Sequence, residues 1–300
     1  MSDGRVRSRR AGRYAFASDG TPIRFDTFGA RGGEPVLMIQ GLGADRRAWW
    51  LQHRAIGRRY RGISFDNRGS GQSGTPEGPY DIEVMAADAL AVLDAAGYGS
   101  AHVMGASMGG VMAQILALRH PARVRSLVLV GTGCRHRAWR NELLASWAAT
   151  AGEGGVRRVA GGTVQWLFAP RFQRRAAVLA AVLGPFVLGA PGGGFASQVA
   201  AILGADESLR ARLPGVRVPT LVVVGELDVL TPPADARELA GLIPGAELVV
   251  VPGAGHAVML ERPAAYNRAV LDFLDRVTGD SPGSARAPLS PGAAASGPSR

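Results

Sequence analysis

The chain has 300 residues, a formal net charge of +10 at pH 7 and a hydrophobic fraction of 47%, which is enough to bury a large core. All 34 basic residues are arginine. Chemistry that needs a lysine amine, such as Schiff-base formation or phosphate binding by a P-loop lysine, is therefore excluded. The composition predicts a soluble globular protein, and the length fits one α/β domain with an insertion or two small domains.

The positive charge is concentrated at the two ends of the chain and in one middle segment. Residues 1–13 hold five Arg and one Asp, residues 281–300 hold two Arg and no acid, and residues 132–215 hold ten Arg and four acids. No basic stripe interleaved with aromatic residues occurs, and no nucleic-acid-binding motif occurs. We therefore expect a small-molecule substrate and no nucleic-acid partner. Nucleic-acid binding by the arginines stays an alternative, which would show as a steep salt dependence.

The cysteine content and the apolar runs bear on the compartment. Cys134 is the single cysteine and is expected to be a buried neutral thiol, which agrees with a reducing compartment. The longest apolar run, 176–190, is too short to span a bilayer, and no apolar region follows Arg9 and Arg10. These features favour a cytoplasmic protein with no stable membrane insertion, and they leave the oligomeric state open.

Up to Gly131, short apolar segments alternate with segments of helical apolar spacing. The Arg-rich start at 1–12 is predicted to be disordered. A hairpin follows, because Asp19 and Gly20 supply the positive φ angles that its turn requires. The predicted strands are 13–18, 23–28, 35–40, 61–66 and 124–130, with another beginning at His102, and the predicted helices are 48–56, 81–96 and 111–118.

The alternation stops at Gly131 and resumes near residue 216. Residues 132–215 have a helical pattern interrupted by glycines, which predicts a helical lid inserted over the sheet. The later predicted strands are 220–224 and 248–251, and the later predicted helices are 233–241 and 263–277. We predict an α/β core over 13–131 and 216–278, with a mostly parallel sheet covered by helices on both faces, and a flexible tail at 279–300.

A Gly-x-Ser-x-Gly motif lies between a predicted strand and a predicted helix. Its serine is Ser107, flanked by Gly105 and Gly109. A side chain at either glycine would collide with the neighbouring strand or helix, and such a turn exposes its serine at the edge of the sheet. Because a serine hydroxyl is a weak nucleophile near neutral pH, Ser107 needs a base within hydrogen-bond reach, and the base needs an orienting acid.

Five histidines are candidates for the base. His256 is favoured, because it lies on the loop that leaves the last predicted strand, where the carboxyl edge of the sheet would carry a ligand crevice. The other four have simpler interpretations. His102 opens a strand, His120 ends a helix, and His53 and His136 lie in polar surroundings.

The acid is expected on a loop after a late strand, where Asp228 and Glu226 are the available carboxylates. We favour Asp228, which would hold the imidazole in the right tautomer and stabilise the imidazolium, and we keep Glu226 as the fallback. The resulting order along the chain, Ser107 then Asp228 then His256, is that of the α/β-hydrolase arrangement and differs from both protease orders.

Negative charge that develops on a carbonyl oxygen needs hydrogen-bond donors held in place beforehand. One candidate is the backbone N–H of Met108, at the start of the helix after the nucleophile, where N–H groups are free. The second is the backbone N–H of Leu42, on the loop that follows the strand at 35–40. The alternative for this loop is that its glycines only make a turn.

Together these segments resemble the α/β-hydrolase superfamily over residues 13–278, and most of all its small capped esterases and lactonases of the 3-oxoadipate enol-lactonase and aclacinomycin methylesterase types. The resemblance implies an eight-stranded sheet, a helical lid and no cofactor or metal. The segments that carry it are Gly41-Leu42-Gly43, Asp66-Asn67-Arg68-Gly69-Ser70-Gly71-Gln72-Ser73, Gly105-Ala106-Ser107-Met108-Gly109-Gly110, Gly225-Glu226-Leu227-Asp228, Gly253-Ala254-Gly255-His256 and Glu261-Arg262-Pro263.

Two positions refine the resemblance. Many members carry His-Gly where this chain has Gln40-Gly41, a difference that leaves the backbone donor possible. Ser107 disfavours the epoxide-hydrolase and haloalkane-dehalogenase branches, which use a carboxylate nucleophile. The expected function is a cofactor-free serine hydrolase that cleaves a carboxylic ester or lactone of a small, largely apolar substrate through an acyl-enzyme. Thioester, C–C bond and peracid chemistry on the same triad are alternatives, as is a non-hydrolytic binding or cyclase-like protein.

Overall fold

A computed structural model describes residues 13–173 and 192–279. The segments predicted as a disordered start and a flexible tail lie outside these residues, except that Gly279 ends the last helix. The apolar run at 176–190 also lies outside them. No helix in the described part is long and apolar enough to cross a membrane.

The fold is an eight-stranded, mostly parallel sheet, as the sequence predicts. Its strand order is β1-β2-β4-β3-β5-β6-β7-β8; β1 and β2 pair antiparallel, β2 pairs antiparallel with β4, and every other pair is parallel. The strands are β1 (Arg13–Phe16), β2 (Pro22–Gly29), β3 (Pro35–Ile39), β4 (Arg61–Phe65), β5 (Ala101–Ala106), β6 (Val124–Val130), β7 (Thr220–Gly225) and β8 (Glu247–Val251).

Helices lie between successive parallel strands along the chain, because parallel strands need a crossover connection. The helices are α1 (Trp50–Gly57), α2 (Ile82–Ala95), α3 (Met108–Arg119), α4 (Ala138–Gly154), α5 (Val156–Leu167), α6 (Gly192–Leu203), α7 (Ser208–Arg212), α8 (Pro233–Leu242), α9 (Val258–Glu261) and α10 (Pro263–Gly279). The helix predicted at 48–56 starts two residues later, because a 3-10 turn over Arg46–Trp49 precedes it.

Two apolar cores lie on the two faces of the sheet, and β3 shows how the sequence fills both. Its fully buried side chains alternate, with Leu37 and Ile39 in one core and Val36 and Met38 in the other. The first core is closed by α2, α3 and α8, and the second by α1 and α10. A strand that is buried on both faces has a continuous run of apolar residues, and this run is why the sequence pattern predicted β3.

Residues between β6 and β7 form α4, α5, α6 and α7 over their described parts, in the segment predicted as a lid. Helix α4 packs on α5 and α6 through a small third core that includes Leu144, Val159 and Phe195. Helix α6 also meets the loop after β4 backbone to backbone. A Cβ on Gly194 would lie 2.4 Å from the Gly69 carbonyl oxygen, so only glycine allows this approach.

The central strand β6 offers a direct test of the core. Leu129 is fully buried, whereas Leu227 is 44% exposed on the loop after β7. We expect Leu129→Ala to lower the free energy of unfolding by about 2–5 kcal/mol, because it removes buried methylene groups and leaves a cavity. Leu227→Ala is the matched control and should change it by less than about 1 kcal/mol. Urea denaturation of both variants measures the difference, and equal losses would contradict the placement of β6.

Candidate active site

The carboxyl ends of the parallel strands meet at one edge of the sheet, and the predicted site residues follow four of them. Leu42 lies on the loop after β3, Ser107 follows β5 directly, Asp228 follows β7, and His256 follows β8. Ligand crevices of open α/β sheets lie at this edge. The strand topology thus brings together residues that are far apart in the sequence.

Ser107 occupies the sharp turn between β5 and α3. Its φ of 52° makes it the one non-glycine residue with positive φ in the described ranges, and such a conformation stores backbone strain. The turn depends on its glycines, as the sequence predicts. A Cβ on Gly105 would lie 2.2 Å from the Gly109 carbonyl oxygen, and a Cβ on Gly109 would lie 2.4 Å from the Ile39 carbonyl oxygen.

Asp228 and His256 form a buried pair. The Nδ1 atom of His256 lies 2.9 Å from Oδ2 of Asp228. The other carboxylate oxygen, Oδ1, accepts backbone N–H bonds from Leu230 at 2.9 Å and from Thr231 at 2.8 Å. These backbone donors replace hydrogen bonds to water that the buried carboxylate has lost.

Thr231 is a member of this cluster that the sequence analysis did not identify. Its hydroxyl donates to Oδ2 of Asp228 at 2.7 Å and lies 3.1 Å from Nδ1 of His256. A hydroxyl three residues after a candidate acid was the available signal, because Ser and Thr often close such local turns with a side-chain hydrogen bond.

Ser107 and His256 line one cavity of about 490 Å³, which lies between the sheet edge and the helices of 132–215. Its wall is mainly apolar on the helical side, and Trp50, with 60% of its surface exposed, also lines it. The apolar lining includes Leu144, Trp147, Val159, Val164, Leu167, Phe168, Phe172, Phe195 and Ile202.

The loop after β3 approaches Ser107 closely. A Cβ on Gly41 would lie 3.1 Å from the Cβ of Ser107, a tighter contact than most Cβ atoms make, so a side chain there would press on Ser107. The loop closes as a turn, with the Ala44 N–H donating to the Gly41 carbonyl at 3.3 Å. The Gly43 N–H donates to Oε1 of Gln198 at 2.8 Å. Within the described ranges the N–H groups of Leu42 and Met108 have no hydrogen-bond acceptor, so both are free to bind a ligand oxygen.

Gln40 is the position at which the resemblance implies a difference from many members, and it makes two hydrogen bonds at the loop after β3. Its Oε1 accepts from the Gly41 N–H at 3.2 Å, and its carbonyl accepts from the Asn67 side chain at 3.0 Å. Neither contact uses the Leu42 N–H. The difference at position 40 therefore leaves the predicted donor available.

Comparisons with known proteins agree with this geometry. Residues 34–177 match a family described as alpha/beta hydrolase fold, and residues 203–285 match one described as TAP-like protein. The putative carbamate hydrolase RutD of Azorhizobium caulinodans is 32% identical over 88% of this chain and 98% of its own length. The chain belongs to the α/β-hydrolase family. The predicted family, fold class and hydrolase class are thereby confirmed.

Two further relatives differ in the share of their own length that this chain covers. The crystal structure of the enol-lactonase from Burkholderia xenovorans has a TM-score of 0.82 at 32% identity, with 88% of this chain and 100% of that chain covered. The polyketide synthase ThaQ of Burkholderia thailandensis is 37% identical over 81% of this chain, which spans only 12% of ThaQ.

Glu226, the fallback acid, does not reach His256 in this hydrolase. Its carboxylate is on an exposed side chain and accepts from the Gly253 N–H at 2.8 Å. The ring of His53 lies 4.1 Å from that of Phe28, with Asp26 and Arg46 also near it, and burial lowers its pKa. Cys134 is buried as expected, and burial raises the pKa of its thiol to about 11.

Glu261 is a second residue of the site that the sequence analysis did not assign. It lines the cavity at 4% exposure, and burial raises the pKa of its carboxyl. One of its oxygens accepts from the Gly255 N–H at 2.7 Å and the other from the Ala169 N–H at 3.1 Å. Glu261 therefore joins the loop before His256 to the part of the inserted segment that follows α5. No cluster of three metal-binding side chains occurs within 13–173 or 192–279.

His102 gives a test that is independent of activity. It is 2% exposed, lies 2.8 Å from the Ser126 hydroxyl, and burial lowers its pKa from 6.5 to about 4. The unfolded chain binds a proton at the His102 imidazole more tightly than the folded chain does. The contribution of neutral His102 to the free energy of unfolding is therefore complete above pH 6.5 and is lost as the pH falls.

We expect protonation of His102 alone to lower the free energy of unfolding by up to roughly 3 kcal/mol between pH 6.5 and pH 4. His102→Gln should flatten the pH dependence by that amount, whereas the matched variant His120→Gln, on an exposed residue, should leave it unchanged. Urea denaturation across this pH range measures both. The placement of a neutral His102 in the core is wrong if the two variants behave alike.

Proposed function

We propose that this hydrolase cleaves a carboxylic ester or lactone of a small, largely apolar substrate through an acyl-enzyme. The observation that carries the proposal is the Asp228–His256 hydrogen bond of 2.9 Å beside the cavity that Ser107 and His256 share. An acid, a base and a hydroxyl in this chain order are the components of nucleophilic acyl transfer.

In the first half-reaction, Oγ of Ser107 attacks the substrate carbonyl carbon while Nε2 of His256 takes the hydroxyl proton. Asp228 accepts from Nδ1–H, which fixes the tautomer that leaves Nε2 free and stabilises the imidazolium. The N–H groups of Leu42 and Met108 hold the developing oxyanion. His256 then gives its proton to the leaving alcohol oxygen as the C–O bond breaks, which leaves an ester on Ser107.

The second half-reaction repeats these steps with water. His256 takes a proton from the water as its oxygen attacks the acyl carbon, and the same two N–H groups hold the second oxyanion. The proton then returns from His256 to Oγ of Ser107, which releases the acid. For a lactone the acyl and alkoxy parts stay joined, so one hydroxy acid leaves after this step.

The cavity supports an uncharged substrate. Arg135 and Arg140 are the described arginines that line it, and they pair with Glu238 and Asp235 at 2.8 Å each. A paired guanidinium attracts an acidic substrate less than a free one does. The names of the relatives, enol-lactonase and carbamate hydrolase, agree with acyl transfer from an oxygen or nitrogen leaving group.

Labelling of the nucleophile tests the proposal. We expect one adduct with an organophosphonate fluoride by intact mass, and turnover of short-chain p-nitrophenyl esters. Both should be absent in Ser107→Ala and unchanged in Ser146→Ala, where the serine is exposed on α4. A folded wild type that forms no adduct would favour the non-hydrolytic binding or cyclase-like alternative, and an adduct without ester turnover would favour thioester, C–C bond or peracid chemistry.

The role of Asp228 has its own test. Asp228→Asn keeps an oxygen for the two backbone N–H groups but turns an NH₂ group toward Nδ1 of His256, which favours the wrong tautomer. We expect kcat to fall by roughly 10⁴-fold with little change in KM. Asp272→Asn, on an exposed residue of α10, is the control and should keep full activity. Retention of more than about a tenth of kcat by Asp228→Asn would remove Asp228 from the mechanism.

A further inference from the structure

Gln198, on helix α6, is fully buried and makes three hydrogen bonds to the loops of the sheet edge. Its Oε1 accepts from the Gly43 N–H at 2.8 Å. Its Nε2 donates to the Arg68 carbonyl and to the Ser70 hydroxyl, each at 2.8 Å. One side chain thus joins the inserted segment, the loop after β3 and the loop after β4.

The contact with Gly43 bears on the loop that carries the Leu42 N–H. The Gly41 N–H is bound by the Gln40 side chain, and the Ala44 N–H by the Gly41 carbonyl. The Gly43 N–H lies on the peptide unit next to that of Leu42, and Gln198 is its acceptor. Gly43 has a φ of +70°, and glycine has wide conformational freedom, so without this acceptor the turn can reorient.

We propose that Gln198 is a positioning residue for the oxyanion site, acting through the Gly43 N–H to fix the direction of the Leu42 N–H. The inference rests on the proposed acyl transfer at Ser107. On this proposal α6 affects the reaction rate, because it supports the loop that carries the Leu42 N–H. The close backbone contact between Gly194 and Gly69 keeps the helix in place. Preorganised donors act only if their direction is set before charge develops.

The test compares variants on the two sides of the Gln198 side chain. Gln198→Leu removes all three hydrogen bonds at similar volume, whereas Ser70→Ala removes one bond to Nε2 and leaves the Gly43 contact intact. We expect Gln198→Leu to lower kcat roughly 100-fold with KM changed less than about threefold. Ser70→Ala should keep kcat within about threefold of the wild type even where its Tm falls.

A tetrahedral mimic separates this role from a merely structural one. In a trifluoromethyl ketone adduct, Oγ of Ser107 bonds to the ketone carbon, its proton passes to His256, and the former ketone oxygen carries the negative charge. The Ki of this inhibitor should rise in Gln198→Leu in parallel with the loss of kcat. The Ki of the matching secondary alcohol, which forms no oxyanion, should stay the same. If Gln198→Leu does not fold, Gln198→Asn, whose shorter side chain does not reach Gly43, is measured in its place.

The outcomes are distinct. A wild type that takes no phosphonate adduct overturns the proposed function and this inference with it. A labelled wild type with full kcat in Gln198→Leu overturns this inference alone, and so does an equal loss of kcat in Gln198→Leu and Ser70→Ala, which would reflect general anchoring of α6. Loss of kcat and of trifluoromethyl ketone affinity in Gln198→Leu alone supports it.

Discussion

The close backbone approach around Ser107 is the constraint on which the rest of the site depends. The positive φ of Ser107 persists because β3, β5 and α3 converge on it without side chains at Gly105 and Gly109. Its N–H is held by the Val130 carbonyl of β6 at 2.8 Å. The central strands therefore hold the strained turn, and the stability of the sheet maintains a conformation that the residue alone would avoid.

Buried polar contacts connect the inserted helices to each loop of the site. Gln198 reaches the loop after β3, and Arg140 donates to the Leu230 carbonyl at 3.1 Å, two residues from Asp228. At the third loop, the Ala257 N–H donates to the Leu167 carbonyl at 2.8 Å, beside the contact that Glu261 makes with Ala169. The inserted segment thus contacts the donor, acid and base loops through separate hydrogen bonds.

The fold and the positions of Ser107, Asp228 and His256 at the sheet edge could be predicted because each follows a buried strand, and buried strands are visible as apolar runs. Thr231 had a local signal, its hydroxyl three residues after the candidate acid, but Gln198 and Glu261 had none. Their roles depend on which backbone N–H or carbonyl lies opposite them, and Gln198 meets Gly43 across 155 residues of sequence. The contact of His53, on α1, with the ring of Phe28, on β2, could not be predicted either, because only the fold brings the two residues together.

These connections have a consequence for recombination between relatives. A chimera that takes residues 132–215 from another family member would receive a new apolar wall for the cavity. Whether the Gly43 and Ala257 N–H groups still found acceptors would depend on the sequence of the replacement segment. Substrate preference and turnover would then change together. In this architecture the inserted segment is not an independent module, and selection acting on the shape of its cavity also acts on the loops that carry the site residues.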